Sequence, residues 1–122
     1  MPRNVLSEEQ THPAIRAKIE SYQPEIMREV RDAIASHDVV VVGMAQNPFP
    51  RKTRKLLDEA RIAYHYIEYG SYLSEWRKRL ALKMWTGWST FPMVFVKGTF
   101  VGGFEDTRAL LASGELAKML GR

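Results

Sequence analysis

Two short segments carry the residue types with the clearest chemical meaning in this chain. Residues 47–50 read Asn-Pro-Phe-Pro ahead of a predicted helix, and residues 88–92 read Trp-Ser-Thr-Phe-Pro ahead of a predicted hairpin. Loops of this kind frame thiol-redox sites, yet the 122 residues include no cysteine. Because a thiolate is the nucleophile in thiol–disulfide exchange, the chain has no thiol of its own with which to perform that reaction.

No other catalytic arrangement is visible in the sequence. His12, His37 and His65 lack the spacing of metal ligands, which predicts surface or strand-packing roles for them. Asn47 is a poor nucleophile, and the sequence has no phosphate-binding loop, Ser-His-Asp triad or recognisable acid–base pair of carboxylates. The sequence therefore predicts no catalytic residue and no metal site.

The composition is that of an ordinary globular domain, with 45% hydrophobic and 26% charged residues. A chain of this length builds one core that buries about two-thirds of its unfolded surface. The first residues lack the apolar run of a signal peptide, and the longest apolar run, 39–45, is too short to cross a bilayer. We therefore expect a soluble, cytoplasmic protein without membrane contact.

The charge balance is moderately basic, with 18 Lys and Arg against 14 Asp and Glu and a net charge of +4. Much of the excess falls in residues 51–55 and 77–83, both on predicted helices, which favours solvated helix faces. No zinc-finger spacing or basic zipper accompanies them. Nucleic acid is therefore not an expected partner.

Hydrophobic periodicity predicts alternating helices and strands. Residues 13–20 favour a short helix, and Pro24 opens a second one whose apolar residues recur four apart. The four valines at 39–42 indicate a strand covered on both faces, hence a central one. Asn47 is a good N-cap and Pro48 a good first residue for a helix that ends near Arg61.

The second half continues the alternation. Residues 62–69 suit a second strand, and a third helix ends at Gly87; its apolar residues recur at helical spacing (Leu73, Trp76, Leu80, Met84). Residues 93–101 read as a hairpin, and Glu105 or Asp106 caps a last helix closed by Gly114. The order predicts an α/β fold with parallel pairing and an antiparallel edge.

This order, with Thr-x-Pro before a hairpin and Gly-Gly before the last helix, resembles the glutaredoxin branch of the thioredoxin-like fold over residues 24–120. Residues 88–98, with Val101-Gly102-Gly103 and residues 113–116 after them, are most similar to the monothiol, Cys-Gly-Phe-Ser type. The resemblance implies a mixed four-stranded sheet flanked by helices with an extra N-terminal helix. It divides the chain into a partly helical extension, 1–23, and a glutaredoxin-like domain, 24–122.

The resemblance also implies a cleft for glutathione or an extended peptide. Phe91, before a cis proline, would pair through its free N–H and C=O with a ligand that lies alongside it as an added strand. The Gly-Gly element and two basic residues would contact the ligand's carboxylates. The expected binding residues are Arg79, Lys83, Thr90, Phe91, Pro92, Gly102, Gly103, Phe104 and Glu105. The degenerate active-site loop consists of Asn47, Pro48, Phe49 and Pro50.

Departures from the family pattern concern the chemistry itself. By the resemblance, Asn47 stands at the catalytic cysteine, Pro50 at the resolving position and Met44 at a lysine that meets the glutathione carboxylate. Prolines at 48 and 50 delete two N–H donors from a helix start that would stabilise an anion. A cysteine-ligated [2Fe–2S] cluster lacks a thiolate from this chain.

Plainer structural interpretations stay open at each position. The Asn-Pro-Phe-Pro segment serves equally as a rigid helix start, and Pro92 as a turn proline. For Arg79 and Lys83 an exposed helix charge is the commoner explanation, and Gly102-Gly103 equally suits a strand end. The aromatic residues are more often core than site, although an exposed subset suits a partner surface (Trp76, Trp85, Trp88, Tyr64, Tyr66, Tyr69, Tyr72).

Three functional hypotheses follow. The first is a cysteine-less glutaredoxin-like module that binds glutathione or a peptide without thiol–disulfide exchange, with a role in redox homeostasis. The second is a protein-interaction adaptor that uses Phe49, Pro50 and nearby aromatics to hold a protein partner. The third is a glutathione-dependent enzyme in which the ligand supplies the thiol.

Overall fold

The computed structural model describes residues 6, 8–20, 22–71 and 74–122. A 3₁₀ turn (Glu8–Gln10) precedes the regular elements. In chain order these are α1 (Pro13–Glu20), α2 (Pro24–Ser36), β1 (Val39–Gly43), α3 (Pro48–Glu59), β2 (His65–Glu68), α4 (Trp76–Thr86), β3 (Met93–Val96), β4 (Thr99–Gly102), α5 (Phe104–Ser113) and α6 (Glu115–Met119).

The four strands form one mixed sheet in the order β2-β1-β3-β4. β1 pairs in parallel with β2 and antiparallel with β3, and β4 returns antiparallel along β3. The fold predicted from the sequence, a four-stranded mixed sheet flanked by helices with the valine strand inside, is confirmed.

Two apolar clusters lie on the two faces of the sheet. Val40 and Val42 pack with α2 and α4, whereas Val39 and Val41 pack with α3 and the C-terminal helices. Every residue of β1 is buried, because successive side chains of a strand point to opposite faces and both faces are covered. The helices on both faces thereby hold β1 in the centre of the fold. The candidate cleft, which includes Asn47, lies beyond its carboxyl end.

Several boundaries differ from those predicted. β2 is shorter than the predicted 62–69, because Ile62 N–H donates to the Leu57 carbonyl and belongs to the turn that ends α3. The last helix is followed by α6, which the sequence did not predict. Gly114, with φ of +84°, closes α5 as expected and also begins α6, a conformation that favours glycine.

The apolar stripe that predicted α4 lies on the open side of that helix. Trp76, Leu80 and Met84 are exposed, whereas Ala81 and Leu82 are buried against the sheet. Leu73, which belongs to the same predicted stripe, lies outside the described residues. The helix was therefore predicted correctly from a stripe that does not face the core.

Candidate functional site

Asn47 joins two segments that are far apart in sequence. Its side-chain oxygen accepts from the Phe49 N–H at 3.0 Å, which makes Asn47 the N-cap of α3 as predicted. Its side-chain nitrogen donates to the Phe91 carbonyl at 3.3 Å, across 44 positions of sequence. One amide thus closes the helix start and ties it to the loop before β3.

The first turn of α3 keeps no N–H for an anion. Pro48 and Pro50 have none, and the Phe49 N–H between them donates to Asn47. The helix macrodipole remains, but the donors that would hold a thiolate or carboxylate at this position are absent or engaged. This turn is a capped helix start and offers little to a negatively charged ligand.

Pro50 is buried against the end of β1. A Cβ placed on Gly43 would lie 2.7 Å from the Pro50 Cβ and 2.8 Å from the Tyr66 hydroxyl oxygen, closer than real Cβ atoms come. Glycine at 43 is therefore what lets α3 approach the strand. Met44, the next residue, is also buried and packs in the core.

The Phe91–Pro92 segment is the expected floor of the candidate cleft. The Phe91–Pro92 peptide bond is cis, and both side chains are buried. The expectation that both backbone groups of Phe91 are free is wrong for the carbonyl, because it accepts from Asn47. Among the described residues no hydrogen bond engages the Phe91 N–H.

The start of α5 forms the opposite wall. Asp106, rather than Glu105, caps this helix, since its carboxylate accepts from the Gly103 N–H at 3.0 Å. Gly102 has φ of +102°, and a Cβ there would lie 2.6 Å from the Asp106 carboxylate, so only glycine fits. Glu105 pairs instead with Arg108, at 2.6 Å. The Gly103 N–H expected to meet a ligand is therefore engaged within the chain.

Aromatic rings bring the two helix starts together. Phe49 from α3 and Phe104 from α5 lie with ring centroids 6.1 Å apart, and the Lys52 ammonium lies 4.9 Å from the Phe49 centroid. Phe49 is exposed and Phe104 half-buried. These rings form an apolar rim beside Asn47, and Thr90 is exposed on the loop next to them.

The two basic residues of α4 have different environments. Lys83 is half-buried with its ammonium 5.8 Å from the Phe91 ring centroid, so it borders the cleft floor. Arg79 is buried, and its guanidinium donates to the Tyr69 carbonyl at 2.9 Å and to the Ser74 carbonyl at 2.5 Å. An exposed helix charge is thus wrong for Arg79, which supports the loop between β2 and α4.

One neighbour of the cleft, Trp88, is not among the binding residues predicted from the sequence. A Cβ on Gly103 would lie 3.5 Å from the Pro92 carbonyl oxygen and 3.7 Å from the Trp88 indole nitrogen. That nitrogen is buried and has no hydrogen-bond partner among the described residues. The place of Trp88 next to Thr-Phe-Pro was the available signal, but its contact with the Gly-Gly element depends on the β3–β4 hairpin.

The perturbed tyrosines lie on the β2 side of the sheet. Burial, reinforced by a hydrogen bond to Glu68, raises the pKa of Tyr66 to about 12. Burial and a 2.8 Å hydrogen bond to Glu29 raise the pKa of Tyr69 as well. Since the Tyr69 carbonyl also accepts from Arg79, this residue connects β2, α2 and α4 next to the cleft.

The described part of the chain offers no group of three or more His, Cys, Asp or Glu side chains placed to hold a metal ion. Within that part, no helix combines the length and apolar character that a membrane crossing needs. The cleft therefore consists of the Asn47 cap, the Phe91–Pro92 floor, the α5 start, Lys83 and the aromatic rim.

Comparison with known proteins matches the glutaredoxin family model to residues 39–101, which include both the Asn47 cap and the Phe91–Pro92 floor. The chain belongs to the glutaredoxin family. This family member is 47% identical over 98 residues to the glutaredoxin-like protein of Dictyostelium discoideum, over 80% of each chain. It is 30% identical over 116 residues to chloroplastic glutaredoxin-C4 of Oryza sativa subsp. japonica, over 93% of this chain and 87% of that one.

Among solved structures, the buckwheat glutaredoxin–glutathione complex matches this glutaredoxin-family chain with a TM-score of 0.73. The two are 25% identical, over 84% of this chain and 93% of that chain. The family and fold expected from the sequence are thereby confirmed. The monothiol subtype stays a prediction.

Proposed function

We propose that this protein is a glutaredoxin-family module that binds glutathione, or an extended peptide of the same kind, without thiol–disulfide exchange of its own. The observation that carries the proposal is Asn47, whose amide occupies the junction between α3 and the Phe91 loop in a chain with no cysteine. We also propose, from residues 88–98, that the protein is most similar to the monothiol, Cys-Gly-Phe-Ser type of glutaredoxin.

Several groups support ligand binding in the cleft. The Phe91 N–H is available for strand-like pairing, and the first N–H groups of α5 after Gly103 have no helical acceptor. Lys83 supplies a cation at the floor, opposite in sign to a peptide carboxylate. The buckwheat relative, whose structure is a glutathione complex, has the same fold.

The same geometry predicts weaker binding than a fully open site would give. The Phe91 carbonyl, the Gly103 N–H and the Arg79 guanidinium each bond within the chain. The Gly103 N–H has no second hydrogen bond to offer, and Arg79 is buried and held at two backbone carbonyls. The Phe91 carbonyl keeps one lone pair, so its bond to Asn47 reduces its value to a ligand without removing it. We therefore assign the binding energy to Lys83, the Phe91 N–H, the α5 start and the aromatic rim.

Calorimetric titration with reduced glutathione and with S-methylglutathione tests the binding. Both ligands are expected to bind, because the site does not use the ligand's thiol. Lys83→Ala is expected to weaken binding about tenfold, the effect of losing one charge-assisted contact. Lys118→Ala, at an exposed position of α6, is the matched control and should leave binding unchanged. Absence of heat with both ligands at millimolar concentration refutes the proposal.

A cysteine introduced at the cap position tests where the ligand lies. Asn47→Cys is expected to form a mixed disulfide with oxidised glutathione faster than Ala112→Cys, an exposed control on α5. The preference should disappear with a small disulfide that lacks the γ-glutamyl and glycyl groups. Equal rates for the two variants with oxidised glutathione, measured by mass spectrometry, would place the ligand elsewhere.

A further inference from the structure

An exposed apolar surface lies on the α1–α4 side of the molecule, apart from the cleft. Six large apolar side chains, each between 36% and 53% exposed, belong to these two helices: Ile15, Ile19, Trp76, Leu80, Met84 and Trp85. Ile15 and Ile19 are four residues apart on α1, and Trp76, Leu80 and Met84 recur every four residues on α4. Each helix therefore presents an apolar stripe that the domain itself leaves uncovered.

A groove lies between the Ile19 end of the α1 stripe and the Met84 end of the α4 stripe. Its volume is about 460 Å³, and its lining includes Ile19 from α1, Met27 from α2 and Met84 from α4. A second hollow of about 250 Å³ continues past Trp85 and Arg31 toward Phe95. The α4 stripe spans nine residues, about 12 Å or two helical turns. The shape is that of a receptor for one short helix, since a groove between helices accepts the apolar face of another.

The charges on and beside the two stripes specify the partner. α4 has four basic residues and no acidic one, although Lys78 pairs with Glu75 and Arg79 is buried. The Arg31 guanidinium lies 5.5 Å from the Trp85 ring centroid, and that of Arg77 lies 4.8 Å from the Trp76 ring centroid. Within the described part of the chain, neither Arg31 nor Arg77 has a carboxylate within 4.0 Å. The guanidinium groups of Arg31 and Arg77 therefore lie over exposed rings and can pair with carboxylates of another molecule.

We propose that this groove, defined by α1, α2 and α4, binds an acidic amphipathic helix of another protein. Apolar side chains of that helix would contact the two stripes, and its carboxylates would pair with Arg31 and Arg77. A second copy of this chain fits poorly, because a two-fold contact would bring the basic α4 of one copy against that of the other. A flat anionic bilayer would leave the concave groove unfilled.

Fluorescence anisotropy with two designed peptides tests the proposal. Both carry leucine at helical spacing, with glutamate at the other positions in the first and lysine in the second. The acidic peptide is expected to bind at least tenfold more tightly than the lysine peptide. Its affinity should fall as the salt concentration increases, because salt screens exposed ion pairs. Equal binding of the two peptides, or no binding of the acidic one, overturns the proposal.

Variants assign the binding to the groove. Leu80→Ser and Arg77→Glu are each expected to weaken the acidic peptide about tenfold, and both sites are exposed, so the fold should tolerate them. Lys118→Glu, a charge reversal at an exposed position of α6, is the matched control and should have no effect. If the control weakens binding as much as Arg77→Glu does, the attraction is to overall charge and the groove is not the site.

Two further measurements separate the other occupants. Sedimentation equilibrium is expected to show a monomer, and a dimer abolished by Leu80→Ser would assign the groove to a second copy instead. Vesicles of phosphatidylserine are expected not to compete with the peptide; full competition that Leu80→Ser abolishes would assign the surface to a membrane. Since none of these readouts involves glutathione, failure here leaves the proposed function of the cleft standing.

Discussion

Replacing Asn47 by alanine is expected to destabilise the protein by removing two hydrogen bonds at once. Loss of the N-cap acceptor for Phe49 costs about 1 kcal/mol, and loss of the 3.3 Å bond to the Phe91 carbonyl about 0.5–1 kcal/mol. The free energy of unfolding should fall by about 1.5–2 kcal/mol in total. For a domain of this size that lowers Tm by about 5–10 °C.

Asn47→Ser separates the two contributions. Serine keeps an N-cap oxygen but is too short to reach the Phe91 carbonyl, so it should lose only the smaller, tertiary part. Urea unfolding followed by tryptophan fluorescence gives the free energies, with an unchanged m-value expected because the fold is retained. Hydrogen exchange of the Phe49 amide should accelerate in Asn47→Ala and stay slow in Asn47→Ser.

The reasoning is refuted if Asn47→Ala unfolds at the same urea concentration as the wild type. It is also refuted if Asn47→Ser and Asn47→Ala are equally unstable, because the cap would then contribute nothing. A gain in stability in Asn47→Ala would mean that the amide is strained where it lies. An unchanged or raised stability in Asn47→Ala would mean that neither bond stabilises the fold, whereas an equal loss in both variants would leave only the bond to the Phe91 carbonyl as stabilising.

Three other outcomes are expected. Gly43→Ala should lower the free energy of unfolding by about 1–3 kcal/mol through overpacking against Pro50. The same change should cost less in a Pro50→Gly background, which lacks the Cβ that residue 43 would meet; an equal cost in both backgrounds would locate the clash elsewhere. Tyr69→Phe should cost about 1 kcal/mol by removing the bond to Glu29, measured by urea unfolding, and a neutral result would show that bond to be dispensable. Because the pKa of Tyr66 is raised to about 12 from about 10 in unfolded chains, its contribution to stability is fully present below pH of about 10 and is lost as pH rises to about 12. Tyr66→Phe should flatten that alkaline decline, and an unchanged decline would contradict the assignment.

Local signals predicted the elements well. The valine run, the Asn47-Pro48 helix start and the glycine at 114 each depend on the conformational preference of the residue itself, which operates wherever the segment lies. The strand predicted at 62–69 was too long, because the alternation of side chains extends into the turn after α3. In that turn the Ile62 N–H donates to the Leu57 carbonyl of α3 and not to a neighbouring strand. Boundaries of this kind depend on whether a backbone N–H donates to a helix carbonyl or to a neighbouring strand.

Local signals predicted the candidate site only in part. The cap by Asn47 is local, and so is the loss of N–H donors at Pro48 and Pro50. The second bond of Asn47 and the burial of Arg79 depend on segments that meet only when the sheet and helices assemble. The outward stripe on α4 was equally hidden, because helical spacing identifies an apolar face without saying what covers it.

What the sequence alone determined is the covalent chemistry and the local conformation: no thiol, no N–H at two positions of the first turn of α3, and the order of helices and strands. Only the tertiary structure decided which polar groups remain open to a ligand. The reason is that residue type sets the number of donors and acceptors, whereas their engagement depends on distances between remote segments. Those distances are fixed by strand order and packing, which bring the Asn47 amide to the Phe91 carbonyl.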